Sequence, residues 1–232
     1  MAKEGEFLRI NYTAKTKDDG KVFDTTSEAE AKKAGIFNER VRYGPALVPV
    51  GKKQVIEGLD EELLNAKKGD KKQIVIPAAK GFGTRNADDV RLVPLSKFQE
   101  QKVQPYAGMP VELDGRAARV QSVSGGRVRV DFNHPLADKE LVYDYEVVAE
   151  YSKPEEKFAA LASDLLPDCK ASYNEGVGTL EVPLKVDKSS RDYLVMKTRF
   201  YVQAFAFIPE TKKLEFREEW GNPQEELEHK RL

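Results

Sequence analysis

VIEGLDEELLNAKKGDKKQIVIPAAKGFG, residues 55–83, holds the densest run of mutually consistent local signals in the chain. Ile56, Leu59 and Leu63 recur at helical spacing, Asp60, Glu61 and Glu62 occupy the early turns, and Lys67-Lys68 precede Gly69, where a helix C-cap belongs. The pattern predicts a short amphipathic helix closed at Gly69. Gln73-Ile74-Val75-Ile76 has strand character and stops at Pro77, and the loop over 80–83 sets one aromatic, Phe82, between two glycines.

Upstream, residues 6–13 alternate Phe7, Arg9 and Asn11 against Leu8, Ile10 and Tyr12, and a turn at 17–20 leads into Lys21-Val22-Phe23-Asp24, a predicted β-hairpin. Ser27 and Glu30 form a capping-box pair for a helix over 28–34, which Gly35 ends. Residues 46–50 read as a weak strand interrupted by Pro49.

Beyond Gly83, Val90, Leu92, Val93, Phe98, Met109, Val111, Leu113, Val120, Val128, Val130 and Phe132 fall in short runs punctuated by Gly108, Gly115, Gly125 and Gly126. Three or four brief strands, with Ser124-Gly125-Gly126 as a tight turn, predict a β-rich module of about fifty residues. Residues 141–148 read as another strand. Ser152, Pro154 and Glu155 signal a helix start ahead of Phe158, Leu161, Ala162 and Leu165. Leu180, Val182, Leu184 and Val186 alternate through Pro183 as an edge strand, a helix follows over 190–207, and 214–220 alternate again, an α-β-α-β pattern. Residues 201–207 are apolar on more than one helical face, which fits either a buried helix or a dimer seam. The last ten residues read as a solvated tail.

The chain has 232 residues, 40% hydrophobic and 9% aromatic, a size that accommodates small domains. A net charge of −1 lacks the electrostatic footprint of a dedicated nucleic-acid binder, although 33% of residues are charged. Arg127 and Arg129, alternating on one strand face, read as solvated charge rather than as an RNA contact. Cys169 is the single cysteine, so no intramolecular disulfide forms, and the start MAKEGEFLRINY lacks the apolar core of a secretory signal, which points to the cytoplasm. No window approaches the roughly eighteen consecutive apolar residues of a membrane helix. His134 and His229 are the only histidines and Cys169 lies outside the motif region, so no nucleophilic constellation stands out and neither metal nor cofactor is assigned.

Tyr12, Phe23-Asp24, Gly51, Val55-Ile56-Glu57-Gly58-Leu59, Gly69-Asp70, Lys80-Gly81-Phe82-Gly83, and Asn133-His134-Pro135-Leu136-Ala137 followed by Leu141-Val142-Tyr143 occur in a familiar order. In these residues the chain resembles the FK506-binding-protein (FKBP) class of peptidyl-prolyl isomerases. The NHPLA stretch, separated from the GFG loop by the β-rich module, resembles the SlyD-type branch, in which an insert-in-flap chaperone domain interrupts the isomerase domain. The segment after residue 152 is similar to that of long archaeal-type members.

The resemblance implies an α+β fold with a discontinuous isomerase domain over 1–84 and 134–151, an antiparallel sheet wrapped on a short helix. An insert would occupy 85–133 and a small α/β domain 152–232. It implies a proline pocket lined by Tyr12, Phe23, Val55, Ile56, Leu59, Phe82 and Tyr143, with Asp24 as polar member, the Ile56 backbone N–H holding the substrate carbonyl and Leu136 also touching substrate. Taken alone, Asp24 is a turn carboxylate; beside Phe23 and with the GFG loop downstream it joins the pocket. The implied partners are unfolded polypeptides containing X–Pro bonds and a second copy of the chain through 152–232, with no nucleic acid and no membrane.

An X–Pro bond rotates over a barrier of about 18–20 kcal/mol because resonance gives its C–N bond double-bond character. Rotation needs no nucleophile. The twisted amide has lost resonance and polarity, so a dry apolar pocket that prefers it speeds exchange, at about 1.4 kcal/mol per tenfold. Two departures from the family pattern stand out. Phe82 replaces the usual Tyr and forgoes a hydrogen bond of about 0.5–1.5 kcal/mol, and Leu59 stands where many members place Trp. Some apolar insert residues, among them Val90, Leu92, Phe98 and Met109, are expected to stay open as a groove for unfolded chains. The rival reading is a binding-only chaperone or scaffold that keeps the fold without useful catalysis.

Overall fold

The computed structural model describes residues 2–221; the expected terminal tail lies outside the described residues. In chain order the elements are β1 (Phe7–Thr16), β2 (Val22–Thr25), α1 (Glu28–Ala34), β3 (Ala46–Pro49), α2 (Glu57–Leu63), β4 (Lys71–Ile76), β5 (Val90–Pro94), α3 (Leu95–Glu100), β6 (Pro110–Leu113), β7 (Arg116–Ser124), β8 (Arg127–Asp131), β9 (Leu141–Tyr151), α4 (Pro154–Leu165), β10 (Lys170–Asn174), β11 (Val177–Val182), α5 (Arg191–Phe207) and β12 (Lys213–Glu218). The class is α+β. The described residues fall into two compact units, 2–14 with 22–73 and 143–221, and 15–21 with 74–142.

A five-stranded sheet runs in the order β2-β1-β9-β4, and β3 pairs with the first half of β1, Phe7 opposite Pro49 and Ile10 opposite Ala46. The hairpin, α1 with its Ser27 cap and Gly35 terminus, and β3 lie where local patterning puts them. Helix α2 departs from expectation. It stops at Leu63, with Leu64 as its cap, rather than reaching Gly69. The Lys67 N–H is captured by Asp70 Oδ2 at 3.0 Å, and Gly69 donates to Val147 O at 2.8 Å, so the chain turns into β4 before another helical turn can form. Glu62 then ties α2 to the sheet, accepting from Tyr145 Oη at 2.9 Å and pairing with Lys72 at 2.8 Å. Lys72 holds the Glu62 carboxyl below its usual range.

Both faces of β1 are buried at its start. Leu8 and Ile10 are inaccessible, and Phe7, equally inaccessible, belongs to the core formed by α4, α5 and the β10-β11-β12 sheet. Arg9 follows Phe7 onto this face, donating to Asp164 at 3.2 Å, Pro45 O at 3.1 Å and Ala160 O at 3.3 Å. Within that core the Phe158 ring meets Phe200 edge-on at 5.2 Å and lies over Gly178, where a Cβ would stand 2.3 Å from Phe158 Cε2. Only glycine admits the ring there.

The structure corrects three sequence expectations in the C-terminal part. The cap of α4 is Lys153 with Glu156 reaching back to its N–H, not Ser152 with Glu155. Strand β11 is central, antiparallel to β10 and parallel to β12, and ends before Pro183, so proline costs the ladder nothing; Leu184 and Val186 lie beyond it. Strand β10, a short Ser- and Asn-containing segment, carries too weak a pattern to be read, and the order is α-β-β-α-β.

The second unit contains the four-stranded sheet β5-β8-β7-β6. Gly125 and Gly126, at φ 56° and 72°, make the tight β7–β8 turn with two positive φ angles that the sequence predicts. Helix α3 is unannounced in the sequence, since its six residues are too few to display a period. Phe98 on α3, with Val120, Val128 and Val130, forms the core of this sheet. Among the described residues no helix is long and apolar enough to cross a membrane.

Candidate functional site

Strands β1, β2 and β9 bring Tyr12, Phe23, Asp24 and Tyr143 together. The Tyr12 hydroxyl donates to Asp24 Oδ2 at 2.7 Å, the Tyr12 and Tyr143 rings lie 5.8 Å apart, and Phe23 meets Tyr143 edge-on at 6.2 Å. Asp24 itself is exposed, while Tyr143 is 5% exposed. Burial, then the Asp24 hydrogen bond and charge, push the Tyr12 phenol above the usual tyrosine range; burial, then the Asp24 charge, do the same to Tyr143. Both rings therefore remain neutral donors at physiological pH. The Tyr143 hydroxyl makes no hydrogen bond among the described residues, and no fully buried side-chain polar atom there is left unpaired, so this hydroxyl opens to solvent.

Leu59 is buried on α2, and Val55 and Ile56 are half-buried just ahead of it. Ile56 is the helix N-cap, in extended conformation, and its carbonyl accepts from the Leu59 and Asp60 N–H groups at 3.0 Å. The residue that shapes this approach has a sequence context that reads only as an early-turn acid. Asp60, 6% exposed, accepts from the Gly51 N–H at 2.8 Å and the Lys53 N–H at 3.0 Å, clamping the loop that delivers Val55 and Ile56. An acid in the first helical turn, shortly after a glycine-containing loop, is the only signal in the sequence that points to it.

In the second unit Phe82 stacks flat on His134, ring centroids 4.2 Å apart and planes at 8°. The Leu136 N–H donates to His134 Nδ1 at 3.1 Å, which fixes the ring beneath Phe82, and Leu136 is half-buried. Of the insert residues expected to face an open groove, Phe98 is instead core at 3% exposure, Val90 and Met109 are half-buried, and Leu92 is 60% exposed. Phe98 anchors α3 onto the β-sheet, so it cannot present its ring to a client without unfolding the module.

The neck of the insert is pinned by a residue that no sequence pattern singles out. Asp131 is buried and accepts from Asn133 N at 3.0 Å, Asn133 Nδ2 at 2.8 Å, Gln121 Nε2 at 3.0 Å and the Arg85 guanidinium. Asn133 in turn joins the two chain segments, its Oδ1 accepting from Asn86 N at 2.7 Å and its Nδ2 donating to Asn86 O at 3.0 Å. Burial pushes the Asp131 carboxyl up, but these hydrogen bonds, from Asn133 first and then Arg85 and Gln121, outweigh it and hold the group down at about 2. A depressed folded-state value means a stabilisation fully present above the ordinary carboxylate value near 4 and lost as pH falls toward 2. Asp131→Asn should therefore destabilise the neck by about 1–3 kcal/mol at pH 7 and erase this acid-dependent step, read by hydrogen exchange at the amides of 85–89 and 131–133. An unchanged acid profile in the variant would refute the role.

A cleft of about 810 Å³ lies elsewhere in the first unit, lined by Arg9, Arg42, Tyr43, Glu150, Tyr151 and Asp164. Its charged lining is unsuited to an apolar pyrrolidine ring. The Tyr12–Asp24–Tyr143 cluster is instead an aromatic surface with one carboxylate acceptor, of a kind suited to an apolar ring.

The comparisons with known proteins agree. Residues 1–97 match the family described as FKBP-type peptidyl-prolyl cis-trans isomerase, and residues 91–136 match the FKBP26 IF domain. A short-type peptidyl-prolyl cis-trans isomerase of Methanocaldococcus jannaschii is 33% identical over 147 residues, 63% of this chain and 92% of that protein. The SlyD peptidyl-prolyl cis-trans isomerase of Helicobacter pylori is 26% identical over 148 residues, 61% of this chain and 80% of that one. An FKBP-type 16 kDa peptidyl-prolyl cis-trans isomerase of Escherichia coli is 30% identical over 109 residues, 45% and 72% of the two chains. The chain belongs to the FKBP-type peptidyl-prolyl cis-trans isomerase family, in its SlyD-like form with an insert in the flap.

Proposed function

We propose that the chain accelerates X–Pro isomerisation in unfolded proteins, the twisted amide being preferred by a pocket of Tyr12, Phe23, Val55, Ile56, Leu59, Phe82 and Tyr143. Asp24 is its polar member, and the Ile56 backbone N–H and Leu136 serve substrate binding. The observation that carries this reading is the hydrogen bond of Tyr12 to the exposed Asp24 carboxylate, which anchors the Tyr12 ring 5.8 Å from the buried Tyr143 ring. Beside the Ile56 N–H, the Tyr143 hydroxyl is a second donor available to a substrate carbonyl in a chain whose position 82 is Phe. A two-dimensional NMR exchange assay on a short X–Pro peptide tests this; no acceleration by the intact chain would leave only a binding-only chaperone.

The domains of this reading are the isomerase over 1–84 and 134–151, the insert over 85–133 that holds unfolded client chains, and the unit over 152–232. The third offers a surface for a second copy of the chain. Leu194, Val195, Tyr201 and Val202 on α5 are each about half exposed, while Phe200, Ala204 and Phe207 fill the core. Light scattering over a concentration series should show a dimer, and a monomer throughout would remove it. Activity in the cytoplasm, without metal or cofactor, completes the reading.

A further inference from the structure

One face of the insert sheet is in its core, and the other is exposed except at the end where Asp131 and Val90 pair. Val128 and Val130 point inward and are fully buried, so Arg127, Arg129 and Asp131 share the outer face. The ladder sets Leu92 and Ser122 on either side of Arg129, Pro94 and Ser124 on either side of Arg127, and Arg119 opposite Asp131. Residues paired across an antiparallel ladder project to the same side, so these side chains form one surface. The Arg119, Arg127 and Arg129 side chains are exposed and form no ion pair or hydrogen bond among the described residues. Two carboxylates share the face. Asp131 is buried and held by Arg85, and Glu112, opposite Ala117 at the far edge, pairs with no cation among the described residues. In the middle rung stands Leu92, 60% exposed beside Arg129.

We propose that this outer face binds extended polypeptide segments that carry acidic side chains at alternate positions around an apolar residue. The inference deepens the client-holding role proposed for the insert and rests on it. Arg127 and Arg129, two residues apart on one strand, are spaced at about 7 Å, which is also the spacing of alternate side chains along an extended peptide. Guanidinium groups take carboxylates in bidentate fashion, and their lack of protein partners means that no ion pair must break first. Leu92 supplies apolar contact beside Arg129. Single-stranded nucleic acid fits less well, because its bases stack on aromatic rings and none projects from this face; Phe132 lies on the other side, with the Arg91 and Arg116 guanidiniums 5.3 Å and 4.9 Å from its ring centroid.

The test is fluorescence anisotropy on the full chain with three labelled probes of equal length: a peptide alternating Glu with Leu and Ser, the same peptide with Gln for Glu, and a uridine oligonucleotide. The acidic peptide should bind about tenfold or more tightly than its Gln counterpart at about 50 mM salt and lose most of that advantage at about 300 mM. The triple variant Arg119→Ser, Arg127→Ser, Arg129→Ser should lose the preference, and the triple Lys variant should keep part of it, with short-peptide isomerisation unchanged in both. A Ser variant that keeps the wild-type acidic preference to within twofold, or tighter binding of the oligonucleotide than of the acidic peptide, would overturn the inference. Wild-type binding of the two peptides with equal affinity would defeat this inference alone, whereas no binding of either peptide or of a reduced unfolded protein would remove the client-holding role with it.

Discussion

Tyr143→Ala should reduce kcat/KM on a short X–Pro peptide by about 30- to 100-fold, a loss of about 2–3 kcal/mol of preference for the twisted amide. The ring is 5% exposed and packs against Tyr12 and Phe23, so truncation admits water and removes the apolar surface on which a depolarised amide is favoured. Asp24→Ala should cost about tenfold, because it frees the Tyr12 hydroxyl and leaves that ring unanchored. Asp24→Asn separates anchor from charge: it keeps an acceptor for Tyr12, so activity close to wild type would assign Asp24 a positioning role. Removing a buried tyrosine also costs stability, on the order of 3–5 kcal/mol, and Tyr143→Phe provides a variant that keeps the packing. Its expected loss is severalfold, the worth of one hydrogen bond to the substrate carbonyl. A folded Tyr143→Ala protein with activity within twofold of wild type would place the pocket elsewhere.

Excising residues 86–132 should slow catalysed refolding of a proline-limited protein by about 10- to 100-fold while changing short-peptide turnover by no more than about threefold. The excision is feasible because Asn133 already joins the two chain segments, bonding Asn86 in both directions, so a short glycine linker from Arg85 to Asn133 spans a gap the fold has closed. The asymmetry follows from effective concentration. On the proposed client-holding role, a held client meets the pocket at a raised effective concentration, whereas a short peptide arrives by diffusion in either case. Equal losses on the two substrates would mean that the insert supports the pocket's structure rather than delivering clients.

Elements specified by residues within a few positions of one another are legible in the sequence. The β1–β2 hairpin, α1 between Ser27 and Gly35, the Gly125-Gly126 turn and the span of α5 depend on caps, turn residues and periodicity that act locally. The grouping of Tyr12, Phe23, Asp24 and Tyr143 is legible only through resemblance, because no spacing rule connects residues so far apart in the chain. Local signals misjudge the end of α2, where a distant group intervenes through the bond from the Gly69 N–H to Val147 O on β9.

By itself the sequence determined the family and, over residues 91–136, its insert-type module, since these are matters of which residues are present and in what order. Tertiary structure alone decided that the face of β1 carrying Phe7 packs into the core of α4 and α5, that Asp60 holds the loop before α2, and that Asp131 fastens the neck. It also decided that Arg119 joins Arg127 and Arg129 on one outer face. The physical reason is common to all four. Burial, strand register and hydrogen-bond partnership are properties of groups brought near one another in space, and a residue's type states what contact it can make without stating which neighbour will be there to make it.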